Sequence, residues 1–158
     1  HLPARPESDW PALATQLLSP INQACGAVDT AALLSEATAL LTKPDLRRIF
    51  TTEALAEVDV SADLPSLGGR RIHGTIDRLV IDKAEVLAID FKSNVAVPSE
   101  VAHCPEGILR QMAAYAEALQ QIYPDHKITM AILWTKTATL MSLPDRLLSD
   151  ALSRADVS

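Results

Sequence analysis

Three observations predict an α/β fold with a mixed central sheet flanked by helices. The first third of the chain has helical periodicity. The middle carries three runs of strand character. A long amphipathic helix then precedes two more short strands. The order is α-β-β-β-α-β, which packs as helices on the faces of a mixed sheet.

The elements follow in order. Ser8 or Asp9 caps a first helix with Pro11 in its first turn, running to about Ser19. Asp29 caps a second over Thr30–Lys43, whose Ala31, Leu34, Ala37, Leu40 and Leu41 recur at helical spacing until Pro44 stops it. A short helical turn is expected at Asp45–Phe50. The pattern then changes: Ala56, Val58 and Val60 alternate with Leu55, Glu57 and Asp59, as a half-buried strand requires. Asp63–Gly69, with Pro65 and two glycines, reads as a turn or loop. Arg70–Ile81 and Glu85–Ser93 form a hairpin, and Asn94–Pro105 is a loop with two prolines. Glu106–Tyr123 is the amphipathic helix, ended by Pro124. Ile128–Trp134 and Ala138–Leu143 are strands, and Pro144–Ala155 is a closing helix.

At 158 residues the chain is read as one domain, with a helical lead-in over 1–50, a catalytic core over 53–143 and a closing segment over 144–158. No apolar run approaches the roughly eighteen residues that span a bilayer, so no membrane partner is expected. No signal peptide is legible and the sequence starts at His1, so a piece of a larger protein is expected. Cys25 and Cys104 lack CxxC spacing and read as reduced thiols of a cytoplasmic protein. The net charge of −6 argues against strong intrinsic affinity for nucleic acid. It leaves room for an enzyme whose acids hold metal. A GxxxxGK[ST] phosphate loop is lacking, so any ATP-driven motor lies outside this sequence.

The chemistry concentrates in the hairpin. A turn centred between Lys83 and Ala84 sets Asp77 opposite Asp90, with Cβ atoms about 4.5–5.5 Å apart. Lys92 shares the Asp90 face because strand side chains alternate. Two opposed carboxylates repel, and a divalent cation between them is the economical reading. Mg²⁺ takes one or two carboxylates plus waters and phosphate oxygens. Asp77 and Asp90 supply that count, the Phe91 carbonyl adds an oxygen, and Glu57 on the preceding strand is the best third carboxylate, with Glu53 and Asp59 as rivals. Such a cation polarises a phosphoryl oxygen and activates water, while Lys92 orients that water or neutralises developing charge. On the following helix, Gln111 and Tyr115 are four apart and share a side.

The segments GTIDRL, AIDFKSN and QMAAYAEAL resemble the RecB-like branch of the PD-(D/E)XK nucleases, most closely the C-terminal nuclease domain of bacterial AddA helicase–nuclease subunits. ALAEVDV resembles the strand with the family's glutamate, at Glu57, and ILWTKTATLMSLP the later strands. The resemblance covers roughly Ala54 to Pro144. It implies a restriction-endonuclease-like core and DNA cleavage dependent on Mg²⁺ or Mn²⁺. Single-stranded DNA would be delivered by the parent AddA helicase region, with AddB as partner subunit, in recombinational repair of double-strand breaks. It makes Lys92 the catalytic lysine, and Gln111 and Tyr115 substrate-positioning or site-bracing groups. Two departures stand out. The branch usually has a metal-site histidine on an early helix; His1 lies near that region, and the role is not carried over to it. An arginine often follows the lysine motif, where this chain reads Asn94-Val95-Ala96.

An isolated Asp-x-Lys arises by chance on exposed strands, so the argument rests on the combination. Arg78 alternates away from Asp77 and reads as a structural ion-pair partner. His73 is too far along the strand for joint ligation. His103 and His126 read as loop residues, and Trp10 and Trp134 as core. The competing reading is a catalytically silent nuclease-fold scaffold or DNA-guiding module. An RNA-directed nuclease would carry the same motifs.

Overall fold

The computed structural model describes residues 2–25, 29–93 and 96–154. The chain divides into two compact units, His1–Thr52 and Glu53–Ser158.

The first unit is helical. Helix α1 (Trp10–Cys25) follows a 3-10 turn at Glu7–Asp9, and α2 (Thr30–Thr42) precedes a 3-10 segment, Pro44–Phe50. The Asp29 carboxylate accepts the Ala32 N–H at 2.9 Å, capping α2 as its sequence requires. Helix α1 continues to Cys25, past the end expected at Ser19, with Pro20 inside it. Proline removes one intrahelical bond. Pro20 is exposed, so solvent can reach the carbonyl left without a donor. Trp10 is buried, as expected, and its indole N–H donates to the Arg5 carbonyl at 3.0 Å.

The second unit is a five-stranded mixed sheet flanked by helices, with strand order β1-β2-β3-β4-β5. These are β1 (Leu55–Leu64), β2 (Arg70–Ile81), β3 (Glu85–Lys92), β4 (Lys127–Trp134) and β5 (Thr139–Leu143). Helix α3 (Glu106–Ile122) carries the chain from β3 to the parallel β4; every other neighbouring pair is antiparallel. Helix α4 (Asp145–Ser153) packs on α3. The expected closing helix extended to Ala155, which lies outside the described residues.

Strand β1 alternates from Val58 onward, with Val58, Val60, Ala62 and Leu64 more buried than their neighbours, whereas Ala56, expected on the same face, is exposed. It runs further than expected, because Asp63 and Leu64 pair with Arg71 and Arg70. A two-point contact between Arg71 and the Asp63 carboxylate, at 2.8 and 3.0 Å, extends the ladder where a loop was anticipated. Gly68 and Gly69 close the shortened turn at φ of 65° and 78°, a region that suits glycine.

Val86, Leu87, Ala88, Ile89 and Asp90 form an unbroken buried run in β3, typical of an interior strand. Val86 and Ala88 share a core with Met112, Tyr115 and Leu119 of α3 and with Met130, Ile132 and Trp134 of β4. Cys104 lies in the same core, donating its thiol hydrogen to Met141 Sδ at 3.4 Å, and burial raises its pKa. A thiol held protonated is a poor nucleophile.

Leu119 is 2% exposed at the centre of the α3–sheet contact. Leu119→Ala is expected to cost about 2–5 kcal/mol, read as a lower urea midpoint at unchanged slope.

Candidate active site

The hairpin register is the one its turn dictates. Arg78, Leu79, Val80 and Ile81 face Ile89, Ala88, Leu87 and Val86, and the Asp82 N–H donates to the Glu85 carbonyl at 2.8 Å. Asp77 and Asp90 come next in this register, and there the ladder parts. Upstream of Asp77, β2 pairs with β1; beyond Ile89, β3 pairs with β4, with Asp90, Phe91 and Lys92 beside Ile132, Leu133 and Trp134. The sheet forks at the two acids. Where the ladder fails, the Phe91 N–H donates to Asp77 Oδ2 at 2.5 Å. The direct strand pairing expected of the two acids is thus replaced by a side chain reaching across to the facing backbone.

Strand β2 turns about its axis at the same point. Ile76 and Leu79 enter one core cluster, although positions three apart on a regular strand face opposite sides. The turn therefore falls within Asp77–Arg78. Opposite Asp77, between the pairs Ala56–Arg78 and Val58–Ile76, Glu57 has φ of 52°. This is a left-handed backbone on a non-glycine residue, worth about 1 kcal/mol or more of strain and typical of functional sites.

Asp90 is the one charged side chain that is buried among the described residues, at 5% exposure. Lys92 Nζ lies 2.6 Å from Asp90 Oδ2. The approach is an ion pair off hydrogen-bond alignment, and Oδ2 has no aligned donor. Burial pushes the Asp90 carboxyl above its ordinary value. The Lys92 ammonium pulls it back in part, and the Asp77 charge adds to the rise.

From α3, Gln111 Nε2 donates to the Tyr115 hydroxyl at 3.1 Å, and Tyr115 is buried against the backbone of Gly74. Glu57 is exposed on β1. Among the described residues no three His, Cys, Asp or Glu side chains gather closely enough to hold a metal. The arrangement thus brings Asp77, Phe91, Asp90 and Lys92 together and places Glu57 apart from them as a side chain. Arg78 donates to the Ala54 carbonyl at 3.4 Å, a structural role. His73 is exposed on the β1–β2 ribbon. His1, Asn94 and Val95 lie outside the described residues.

A sequence model of the PD-(D/E)XK nuclease superfamily matches residues 7–151. The chain belongs to the PD-(D/E)XK nuclease superfamily. No curated protein matches it. A solved structure, "Crystal structure of SSO0001", is similar to it at 13% identity, over 90% of this chain and 69% of that one, with a TM-score of 0.40.

PD-(D/E)XK nucleases generally use divalent metal ions. The residues at the fork fit such an ion: Asp77 is near enough for its charge to act on Asp90, and one buried Asp90 oxygen has no aligned donor. The Lys92 ammonium already stands against that oxygen, yet burial outweighs it, so further positive charge is favoured there. Two site features lay beyond the sequence reading. The Asp77–Phe91 bond depends on where the ladder stops. The approach of Tyr115 to Gly74 had only a mid-strand glycine as its signal.

The Asp90 shift sets a pH-dependent stability. A carboxyl with a raised folded pKa penalises the folded state above that value, and the penalty is absent below the unfolded value of about 3.9. In EDTA, Asp90→Asn is therefore expected to gain stability relative to the wild type as pH rises through this window. Thermal unfolding across a pH series checks this; a relative gain that shrinks with rising pH contradicts it.

Proposed function

We propose that this chain is a Mg²⁺- or Mn²⁺-dependent deoxyribonuclease that hydrolyses phosphodiesters at the sheet fork. The observation that carries the reading is the convergence of Asp77 and Asp90 where β2 and β3 part, with Lys92 on the buried acid. In this proposal Asp77, Asp90 and the Phe91 carbonyl hold the cation. Glu57, the neighbour of Asp77 by register, joins them on a change of rotamer or through water. The cation supplies Lewis acidity toward a phosphodiester oxygen.

The protein's own groups do the rest. Lys92 is catalytic: its ammonium sits beside the reacting centre, orients the attacking water and offsets charge developing on phosphorus. Asp77 holds the Phe91 backbone still while presenting its second oxygen. Gln111 and Tyr115 brace the floor of the site from α3 and position the substrate. The finer assignment, supported by the three motif segments, is the nuclease domain of an AddA-type helicase–nuclease. It acts on single-stranded DNA fed by the helicase region, with an AddB subunit, in recombinational repair of double-strand breaks. The net charge of −6 fits a domain to which DNA is delivered by other parts of an assembly.

Labelled linear single-stranded DNA, incubated with Mg²⁺, Mn²⁺ or EDTA, tests the reading. Cleavage is expected only with metal, to vanish in Asp90→Ala, and to fall by more than about a hundredfold in Lys92→Ala. Cleavage by Asp90→Ala at the wild-type rate would refute the site. For the repair assignment, cells carrying Asp90→Ala in the full-length protein are expected to be sensitive to double-strand breaks.

A further inference from the structure

Gly74 lies mid-strand in β2, three residues before Asp77 and opposite Val60 of β1. Its backbone is not in the left-handed region that favours glycine; among the described glycines only Gly68 and Gly69 are. Steric room is therefore the reason for glycine here. A Cβ at this position would lie 2.1 Å from the Tyr115 hydroxyl oxygen and 2.7 Å from Cε1 and Cζ of its ring. Real Cβ atoms do not approach other heavy atoms so closely, so something would have to move. The phenol is poorly placed to do so. It is 6% exposed, belongs to the main core, and takes a hydrogen bond from Gln111. The load would fall on β2.

The ribbon that β2 forms with β1 is held to α3 at further points, through β1 and the turn that joins the two strands. The Ser66 hydroxyl and N–H both donate to Glu117, and Gln121 Nε2 donates to the Asp63 carbonyl at 3.1 Å. These ties fix the far end of the β1–β2 ribbon, and the Gly74–Tyr115 contact fixes its middle, three residues before the strand turns through Asp77. We infer that Gly74 is a positioning residue: by letting β2 settle onto the Tyr115 ring, it sets the opening of the fork and so the reach of the Asp77 carboxylate to the Phe91 N–H. The inference rests on the reading of Asp77 as a metal carboxylate for its consequence in catalysis, and on packing alone for its consequence in structure.

The two are separable by experiment. Amide hydrogen exchange of the whole chain, followed residue by residue by NMR, reports on the Asp77–Phe91 bond without metal or substrate. In Gly74→Ala, the Phe91 amide is expected to exchange at least about tenfold faster, the scale of an overpacked methyl. The amides of Leu87–Ile89, which lie inside the intact ladder, keep their protection. In the double variant Gly74→Ala/Tyr115→Leu the smaller side chain leaves room for the methyl, and Phe91 protection returns. Should Gly74→Ala fail to fold, a folded double variant with a protected Phe91 amide carries the same conclusion.

Calorimetric titration with Mn²⁺ completes the test. Wild type is expected to bind, with affinity reduced by about tenfold in Gly74→Ala and regained in the double variant. An unchanged Phe91 amide in Gly74→Ala, or a double variant that stays deprotected, overturns the positioning role. Wild-type protein that takes up no Mn²⁺ counts instead against the nuclease reading, and the amide pattern still decides the role of Gly74.

Discussion

The hydrogen bond from the Phe91 N–H to the Asp77 carboxylate is the contact on which the arrangement of this site depends. A backbone N–H in a buried strand must find an acceptor, and where β2 leaves β3 the ladder no longer offers one. Asp77 takes over that duty. The strands can then diverge without orphaning the backbone, and the acid that permits the divergence stands at its apex. Each acid has its own partner, Asp77 the Phe91 N–H and Asp90 the Lys92 ammonium. Two carboxylates can therefore stand at the apex of one fork despite their repulsion.

The neighbourhoods of the two acids differ in kind. Asp90 lies in an interior strand among Ile89, Ala88 and Ile132, and the loss of water outweighs its lysine. Asp77 is only half-buried and engages a backbone donor. A fold that retains such a charge in its apolar strand gives up stability at that position, and the arrangement suits a partner of positive charge. Strain at Glu57, facing Asp77 across the ladder, adds to the impression of a region shaped by chemistry more than by packing.

Much of this was legible in the residues. The turn at Lys83–Ala84 is too short to allow another register, so placing the turn placed Asp77 beside Asp90. Asp90 declared itself by interrupting an apolar run, and Asp29 by its position before a helical repeat. Other features were hidden for physical reasons. Pro20 marks a helix end in most settings, yet a solvent-exposed helix tolerates one missing bond. Asp63 carries a turn-forming side chain, but its pairing with Arg71 holds it in the strand. The parting of the ladder has no local signature, because it depends on how β1, β4 and α3 compete for the two halves of the hairpin. Gln111 and Tyr115 were visible as a spacing, while what Tyr115 touches required the tertiary fold.

The twist at Glu57 also bears on how copies of this protein behave toward one another. Strand β1 is an edge of the sheet and ten residues long. A flat edge of that length is a template onto which another chain can add a strand, the first step toward aggregation. The left-handed residue breaks the regular row of edge groups, and Asp59 and the Asp63–Arg71 ion pair place charged groups along the remainder. The irregularity beside the acids is thus also of the kind that makes an edge strand a poorer template for another chain.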